Sequence, residues 1–232
     1  MHGDIKNFEL SASGGNDRTT FRISGNYNSQ QAILSRADFK RGGINLNFTN
    51  KATDKLTISS GINLSSFDQK APFGGAGGSS LGNIAFASSG ILPLNPIYNA
   101  DGSYYGIPGQ TPANLSGTLN QNAVAVNELN SGNQRNNQAI GNVQGEYQIL
   151  DWLSFRSFYS LDWRNTEANF FWDPRTGDGN PRGGLGQVQS AWNTNFLTNQ
   201  ILSARYSFND VHNVDGLVGY EYRKDDSRQI YV

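Results

Sequence analysis

This chain has no cysteine, little charge, only two histidines and no long apolar run. Without cysteine there is neither a disulfide framework nor a thiolate metal site, although that absence assigns no compartment. Charged residues are 16% of the chain and the formal net charge is -1, so no basic surface steers it toward nucleic acid. No apolar stretch approaches the ~18 residues of a transmembrane helix. His2 stands at a terminus and His212 in a turn, and neither has a carboxylate partner at useful spacing. A general base therefore has no candidate, and the chain is not expected to be an enzyme or to hold a cofactor. Met1-His2-Gly3-Asp4 leads straight into a strand pattern without an export leader. If the protein is exported, its signal is expected upstream.

Hydrophobic residues are 36% and mean hydropathy is -0.54, values that alone suggest a soluble or partly disordered chain. Disorder, however, pairs low hydrophobicity with high charge and few aromatics, and aromatics here reach 12%. The balance is made up by uncharged polar residues and glycine. Such a composition suits a sheet with one face toward lipid and the other toward a wet lumen.

Period-2 alternation dominates the chain. Phe8, Leu10 and Ala12 alternate with polar residues, as do Phe21, Ile23 and Tyr27, then Ile44, Leu46 and Phe48, then Leu56, Ile58, Ile62 and Leu64. The pattern resumes with Ala139, Val143, Tyr147 and Ile149, although Ile140 interrupts the polar side. It continues with Leu153, Phe155, Tyr159, Leu161 and Trp163, with Leu202, Ala204, Tyr206 and Phe208, and with Val214, Val218, Tyr220 and Tyr222. Short turns near 14–18, 50–55, 149–152 and 209–212 take alternate places with long connections at 29–38, 68–133 and 173–190. The expected fold is all-β, an antiparallel up-and-down meander of about eight strands with its long loops at one end. A soluble sandwich would bury the same apolar face against a second sheet. Three features favour the membrane: Asn, Gln, Ser and Thr on the polar face, aromatics at strand ends, and strands longer than the usual 5–6 residues.

Within the longest connection, Gly74-Gly75-Ala76-Gly77-Gly78 reads as flexible, 80–89 as a short helix, and Pro93 and Pro96 impose extension. Asn99, Asp101 and Ser103, and in the next loop Asp173, Asp178 and Asn180, offer oxygens suited to calcium. Neither set has the spacing of an EF-hand, and Asx-turn chemistry accounts for both.

Several segments resemble the barrel of SusC/RagA-type TonB-dependent outer-membrane transporters of Bacteroidetes. They are Ser13-Gly14-Gly15-Asn16-Asp17-Arg18-Thr19-Thr20-Phe21, Ser35-Arg36-Ala37-Asp38-Phe39-Lys40-Arg41, and Pro96-Ile97-Tyr98-Asn99-Ala100-Asp101-Gly102-Ser103-Tyr104. Gly145-Glu146-Tyr147 before Leu153-Ser154-Phe155-Arg156, and His212-Asn213 before Gly219-Tyr220-Glu221, are similar too. They fall in family order along the whole chain.

The resemblance implies a barrel of about 22 strands closed by a plug. It also implies import of oligosaccharides or peptides powered through TonB, with a SusD-like lipoprotein on the outer face. Residues 1–232 are then expected to be a slice of the barrel in the cell outer membrane, without the plug, with long outer loops at 68–133 and 173–190. Tyr98, Tyr104, Tyr105, Phe171 and Trp172 would belong to the substrate vestibule, stacking on a sugar or pinning loops to the rim. Arg156, Asp162 and Arg164 would face the lumen, where they serve neighbouring strands. The alternative is a non-transporting small outer-membrane barrel or soluble sandwich that displays long loops.

Overall fold

The computed structural model describes residues 2–70, 94–107, 122–209 and 211–232. Its strands are β1 (Asp4–Gly15), β2 (Thr19–Gln31), β3 (Asp38–Lys51), β4 (Leu56–Lys70), β5 (Ser131–Leu150), β6 (Leu153–Trp172), β7 (Leu185–Phe208) and β8 (His212–Tyr231). A short helix, α1 (Ala123–Leu129), precedes β5, and a 3-10 turn (Asn180–Arg182) precedes β7. All eight strands lie in one antiparallel sheet in chain order, β1 to β8. The sheet does not close: among the described residues β1 and β8 each pair on one side alone. Among the described residues no second sheet packs on it, so the sandwich alternative does not hold.

Side chains in the short turns fix the hairpins. Asn16 Oδ1 accepts from the backbone N–H groups of Arg18 (3.0 Å) and Thr19 (2.8 Å), an Asx-turn between β1 and β2. Thr53 Oγ1 does the same for Lys55 and Leu56 at 3.2 and 3.0 Å. Between β5 and β6 the register slips at Gln148/Leu150, and Gln148 Nε2 donates to the Leu150 carbonyl at 2.7 Å. Asn209 turns the chain into β8 from the left-handed region, at φ 53.

Three boundaries differ from expectation. β7 begins at Leu185, not after residue 190, because apolar residues recur on its outward face only at every fourth position there, at Val188, Trp192 and Phe196. β8 continues past Tyr222 to Tyr231. The helix at 123–129 was not anticipated. The glycine run at 74–78 and the helix expected at 80–89 lie outside the described residues.

The core is not in the sheet. Buried apolar residues are Ala125, Val126, Ala168 and Trp172, joined by buried Asn122, Asn127, Asn130 and Thr176. All but Ala168, which lies near the outer end of β6, belong to α1 and the loops beside it or end a strand there. The apolar face stays open even on interior strands, with Ile62 46% and Leu161 48% exposed. A continuous apolar face of this extent requires a covering medium.

Candidate functional site

Register assigns the two faces. Phe8, Leu10 and Ala12 stand directly opposite Tyr27, Gly25 and Ile23, which stand opposite Gly42, Ile44 and Leu46. Direct antiparallel partners share a face, so the apolar sets merge into one band across all eight strands. From Leu10, the centre of the band on β1, direct partners run through Gly25, Ile44, Leu64, Ala139, Trp163 and Thr194 to Asp226. On β8 the band is instead centred on Val218, eight residues short of Asp226 (226 minus 218). The band therefore slips by eight residues over seven pairings. At roughly 3.3 Å per residue and 4.8 Å per strand, that slip corresponds to a tilt of about 38°. Transmembrane barrels tilt their strands by about 35–45°. On β6 the outward residues run from Leu153 to Trp163, about 33 Å along the strand and about 26 Å along the membrane normal at that tilt. The apolar band of an outer-membrane barrel is about 25 Å tall.

The opposite face is polar. Arg156, Asp162 and Arg164 all lie on it, on β6. Gln138 Nε2 donates to Asp162 Oδ1 at 3.0 Å, and Arg156 stands opposite Glu146 and Ile201. Asn63 donates to Asn45, and Thr49 and Ser59 hydroxyls meet at 3.2 Å. Ile140 does interrupt this face, opposite Asp162. So do Phe39 and Phe67, whose rings lie 5.6 Å apart near the outer end.

The long connections gather at that end. Residues 94–107 form a small hairpin closed by the Tyr98–Tyr104 bridge, with ring centroids 5.4 Å apart. Asn122 joins it to α1: its Oδ1 caps the Val124 and Ala125 N–H groups at 3.1 Å, and its Nδ2 donates to the carbonyls of Ile97 (2.8 Å) and Tyr105 (3.0 Å). The Tyr104 hydroxyl reaches Glu128 at 3.5 Å. Burial, then the Glu128 charge, raises its pKa. From α1, Asn127 Nδ2 donates to Ser35 Oγ at 2.7 Å, and the Arg36 guanidinium donates to the Glu128 carbonyl. Both tie the helix to the β2–β3 connection. On its other side, Asn130 Oδ1 accepts from the Asp173 N–H (2.9 Å) and the Thr176 hydroxyl (3.2 Å).

The five aromatic residues do not form one surface. Tyr98 is exposed and Tyr105 half-buried in the hairpin. Phe171 is exposed but, by register, on the outward face with Trp163. Trp172 is buried, 1% exposed, with its ring 6.1 Å from Phe170. It anchors the loops and presents no face for stacking. Turn oxygens have internal roles. Asp101 accepts from the Ser103 N–H (3.0 Å) and hydroxyl (2.6 Å), and the hydroxyl contact holds its pKa below the usual carboxylate range. Asp173 is held low by Arg175, which donates to both carboxylate oxygens at 2.8 Å. Asn122, Asn130 and Arg36, which organise the loops, were not singled out from the sequence. An Asn before Ala-Val-Ala-Val-Asn-Glu-Leu was the one available signal, as a helix N-cap.

A tilted antiparallel sheet, apolar outward and polar inward, with its long loops at one end, is a slice of a large transmembrane β-barrel. The chain is similar along nearly its whole length to TonB-dependent receptors of Bacteroidetes. TonB-dependent receptor P3 of Formosa agariphila is 27% identical over 229 residues, which are 96% of this chain and 22% of that protein. TonB-dependent receptor P26 of the same organism is 25% identical over 226 residues, 95% of this chain and 21% of that one. The chain thus spans about a fifth of the length of these curated relatives. Among solved structures, the RagAB peptide importer in its closed-closed state superposes with a TM-score of 0.73 at 18% identity, over 97% of this chain and 25% of that one. A second RagAB peptide transporter structure gives 0.74 at 15%, over 98% and 25%. No family model matches the chain. The SusC/RagA-like resemblance drawn from the motifs and the barrel-slice fold are both borne out.

Proposed function

We propose that residues 1–232 form part of the barrel wall and outer vestibule of a TonB-dependent importer in the outer membrane, one that takes up oligosaccharides or peptides. The observation that carries this reading is the slipped apolar band, whose tilt and height both match a membrane wall. The relatives are receptors and importers, which supports transport over catalysis. In this reading Arg156, Asp162 and Arg164 line the lumen, while Tyr98, Tyr104 and Tyr105 face substrate from the outer hairpin. A SusD-like lipoprotein covers the loops, and TonB supplies energy from the periplasmic side. The likeness is nearly the same against the open-open state of RagAB, at a TM-score of 0.71. That supports a wall that holds its shape through the transport cycle.

Single-tryptophan variants of the full-length protein in vesicles of tail-brominated lipid test the wall. Trp163, outward on β6, should be quenched strongly and the buried Trp172 hardly at all. Equal quenching of the two overturns the wall assignment. Uptake of labelled oligosaccharides and peptides, with and without TonB, tests the transport assignment: uptake that survives TonB loss removes it.

A further inference from the structure

We propose that an apolar recess at the outer end of β1–β4 is a subsite for the C-terminal residue of a peptide, with the side chain in the recess and the terminal carboxylate on Arg41. The proposal rests on the importer reading above, and it selects peptide over oligosaccharide as the substrate.

The recess holds about 520 Å³, within the ~300–1,000 Å³ of small-molecule sites. Ile5, Gln30, Phe39 and Gln69 border it and are successive direct partners from β1 to β4, so they form one row on the inward face. Ala32, Ile33 and Ala37 border it from the β2–β3 connection. Asp38 and Lys70 reach its rim as direct partners on the outward face. Ile5 is 65% exposed on a face that is otherwise mainly polar, and Ile33 is 66% exposed. The connection above the row is braced. The Ala32 N–H donates to the Ala37 carbonyl at 2.9 Å, Asn127 Nδ2 donates to Ser35 Oγ at 2.7 Å, and the Arg36 guanidinium donates to the Glu128 carbonyl. The recess is therefore formed before any ligand enters it.

Arg41 belongs to the next inward row, between Asn28 and Phe67. It lies two residues along β3 from Phe39, about 6.6 Å away, within the span of its own side chain. Its inward neighbours by register are Phe39, Gly43, Asn28 and Phe67, none of them acidic, and it forms no hydrogen bond or ion pair among the described residues. The nearest inward carboxylate in register, that of Glu9, is two strands away. A permanently charged guanidinium with no acid beside it calls for an anion from outside. The recess decides what else that anion carries. Ile5, Ile33, Ala32 and Ala37 have no side-chain donor or acceptor, and Gln30 Nε2 is already engaged by Asn28 Oδ1 at 3.0 Å. A sugar placed there would leave ring hydroxyls buried without partners, whereas an aliphatic or aromatic side chain gains from the transfer. In a C-terminal residue the side chain and the carboxylate branch from one Cα, so the pair matches the ~6.6 Å step from Phe39 to Arg41. Gln69, in the same row as Phe39, offers a donor and an acceptor to the last peptide group.

Binding of labelled Ala-Gly-Leu to the full-length protein in detergent micelles tests the proposal, with its C-terminal amide and Ala-Gly-Ser as the other probes. The parent should bind the acid about tenfold or more tighter than the amide, and about fivefold or more tighter than the serine peptide. Arg41→Gln should lower affinity for the acid to that for the amide and leave the amide unchanged. Ile33→Asn alters an exposed residue, so it should keep the fold while narrowing the preference for leucine over serine. Lys51→Gln, inward at the other end of β3, should change neither preference. An amide that binds as tightly as the acid, or an acid preference that survives Arg41→Gln, overturns the carboxylate site. A leucine preference undiminished by Ile33→Asn overturns the recess, and no binding of any of these peptides by the parent overturns both. Any of these results alongside TonB-dependent uptake of oligosaccharides removes the subsite alone, whereas uptake that survives TonB loss removes the importer reading on which it stands.

Discussion

Ser157 and Ser160 allow the two faces of the wall to be tested with one chemistry. Both are half-buried serines near the middle of the β6 span, which runs from Leu153 to Trp163. Register turns Ser157 outward, opposite Gly145 and Gln200, and Ser160 inward, opposite Asn142 and Leu197. No heavy atom lies within 4 Å of a Cβ built on Gly145, so the outward face is open on the β5 side of Ser157. The difference between Ser157→Lys and Ser160→Lys is therefore one of solvation. A lysine at the midplane of the lipid face costs about 2–4 kcal/mol, falling to about 0–1 near the interfaces. A lysine on the wet face is expected within about 0.5 kcal/mol of the parent. Ser157→Lys should thus be less stable than Ser160→Lys by about 2–3 kcal/mol, the low end allowing for snorkelling of the ammonium. The measurement is reversible urea unfolding of the full-length protein in lipid vesicles, followed by heat-modifiable migration on gels. Leu153→Lys, at the edge of the band, should fall between the two after correction for the lost leucine. Equal costs at 157 and 160, or a larger cost at 160, would refute the assignment of faces and the tilt built on it.

Three further outcomes follow from the loops and turns. Asn122→Ala should raise amide exchange in α1 and the 94–107 hairpin together, by about 1–2 kcal/mol of lost cap stability; a rise in α1 alone would show that the two are not joined. Asp173 has a lowered folded pKa because of Arg175, so its contribution is present above the ordinary carboxylate value and is lost as pH falls through the folded one. Protection of the 173–184 loop should then be flat from neutrality to about pH 4 and drop below it. Arg175→Gln should shrink that drop, and an unchanged profile would show that the ion pair has no part in it. Gly145→Val, which adds an outward side chain into open space, should stabilise the sheet by about 0.5–1 kcal/mol, whereas Gly15→Val would strike the Thr19 carbonyl in the β1–β2 turn and should destabilise it, both read by thermal unfolding of the gel-shifted form.

The sheet was largely legible because a period of two is a strong signal wherever one face is uniformly apolar. β6 shows this: Leu153, Phe155, Tyr159, Leu161 and Trp163 mark the strand that runs from Leu153 to Trp172. β7 shows the limit. Its outward positions between 188 and 198 read Val188, Ser190, Trp192, Thr194, Phe196 and Thr198, so the apolar recurrence doubles to four and alternation disappears. Pairing with β6 and β8, and not its own pattern, fixes that strand. α1 was hidden because Val124 and Val126 disfavour a helix, and its stability comes from the Asn122 cap and from ties to loops distant in sequence. The vestibule aromatics were identified by type, and type does not reveal facing. Phe171 and Trp172 are neighbours in sequence, yet one points outward and the other is buried.

The connection between β4 and β5 sets the order in which this wall can be built. Sixty residues separate Lys70 from Ser131, whereas the β1–β2, β3–β4 and β5–β6 turns span a few. Closing a loop of that length costs about 2 kcal/mol more in chain entropy than closing a four-residue turn. The hairpins of β1–β4 and of β5–β8 are local and should form first, leaving β4–β5 as a late seam. Besides the β4–β5 ladder itself, α1 reaches across this seam to Ser35 and Arg36, while Asn130 ties its C-terminal end to Asp173 and Thr176 on the β5–β8 side. The outer loop surface therefore comes into being only when the two halves of the wall have joined. A half-assembled wall would leave its outer end without the joined loops.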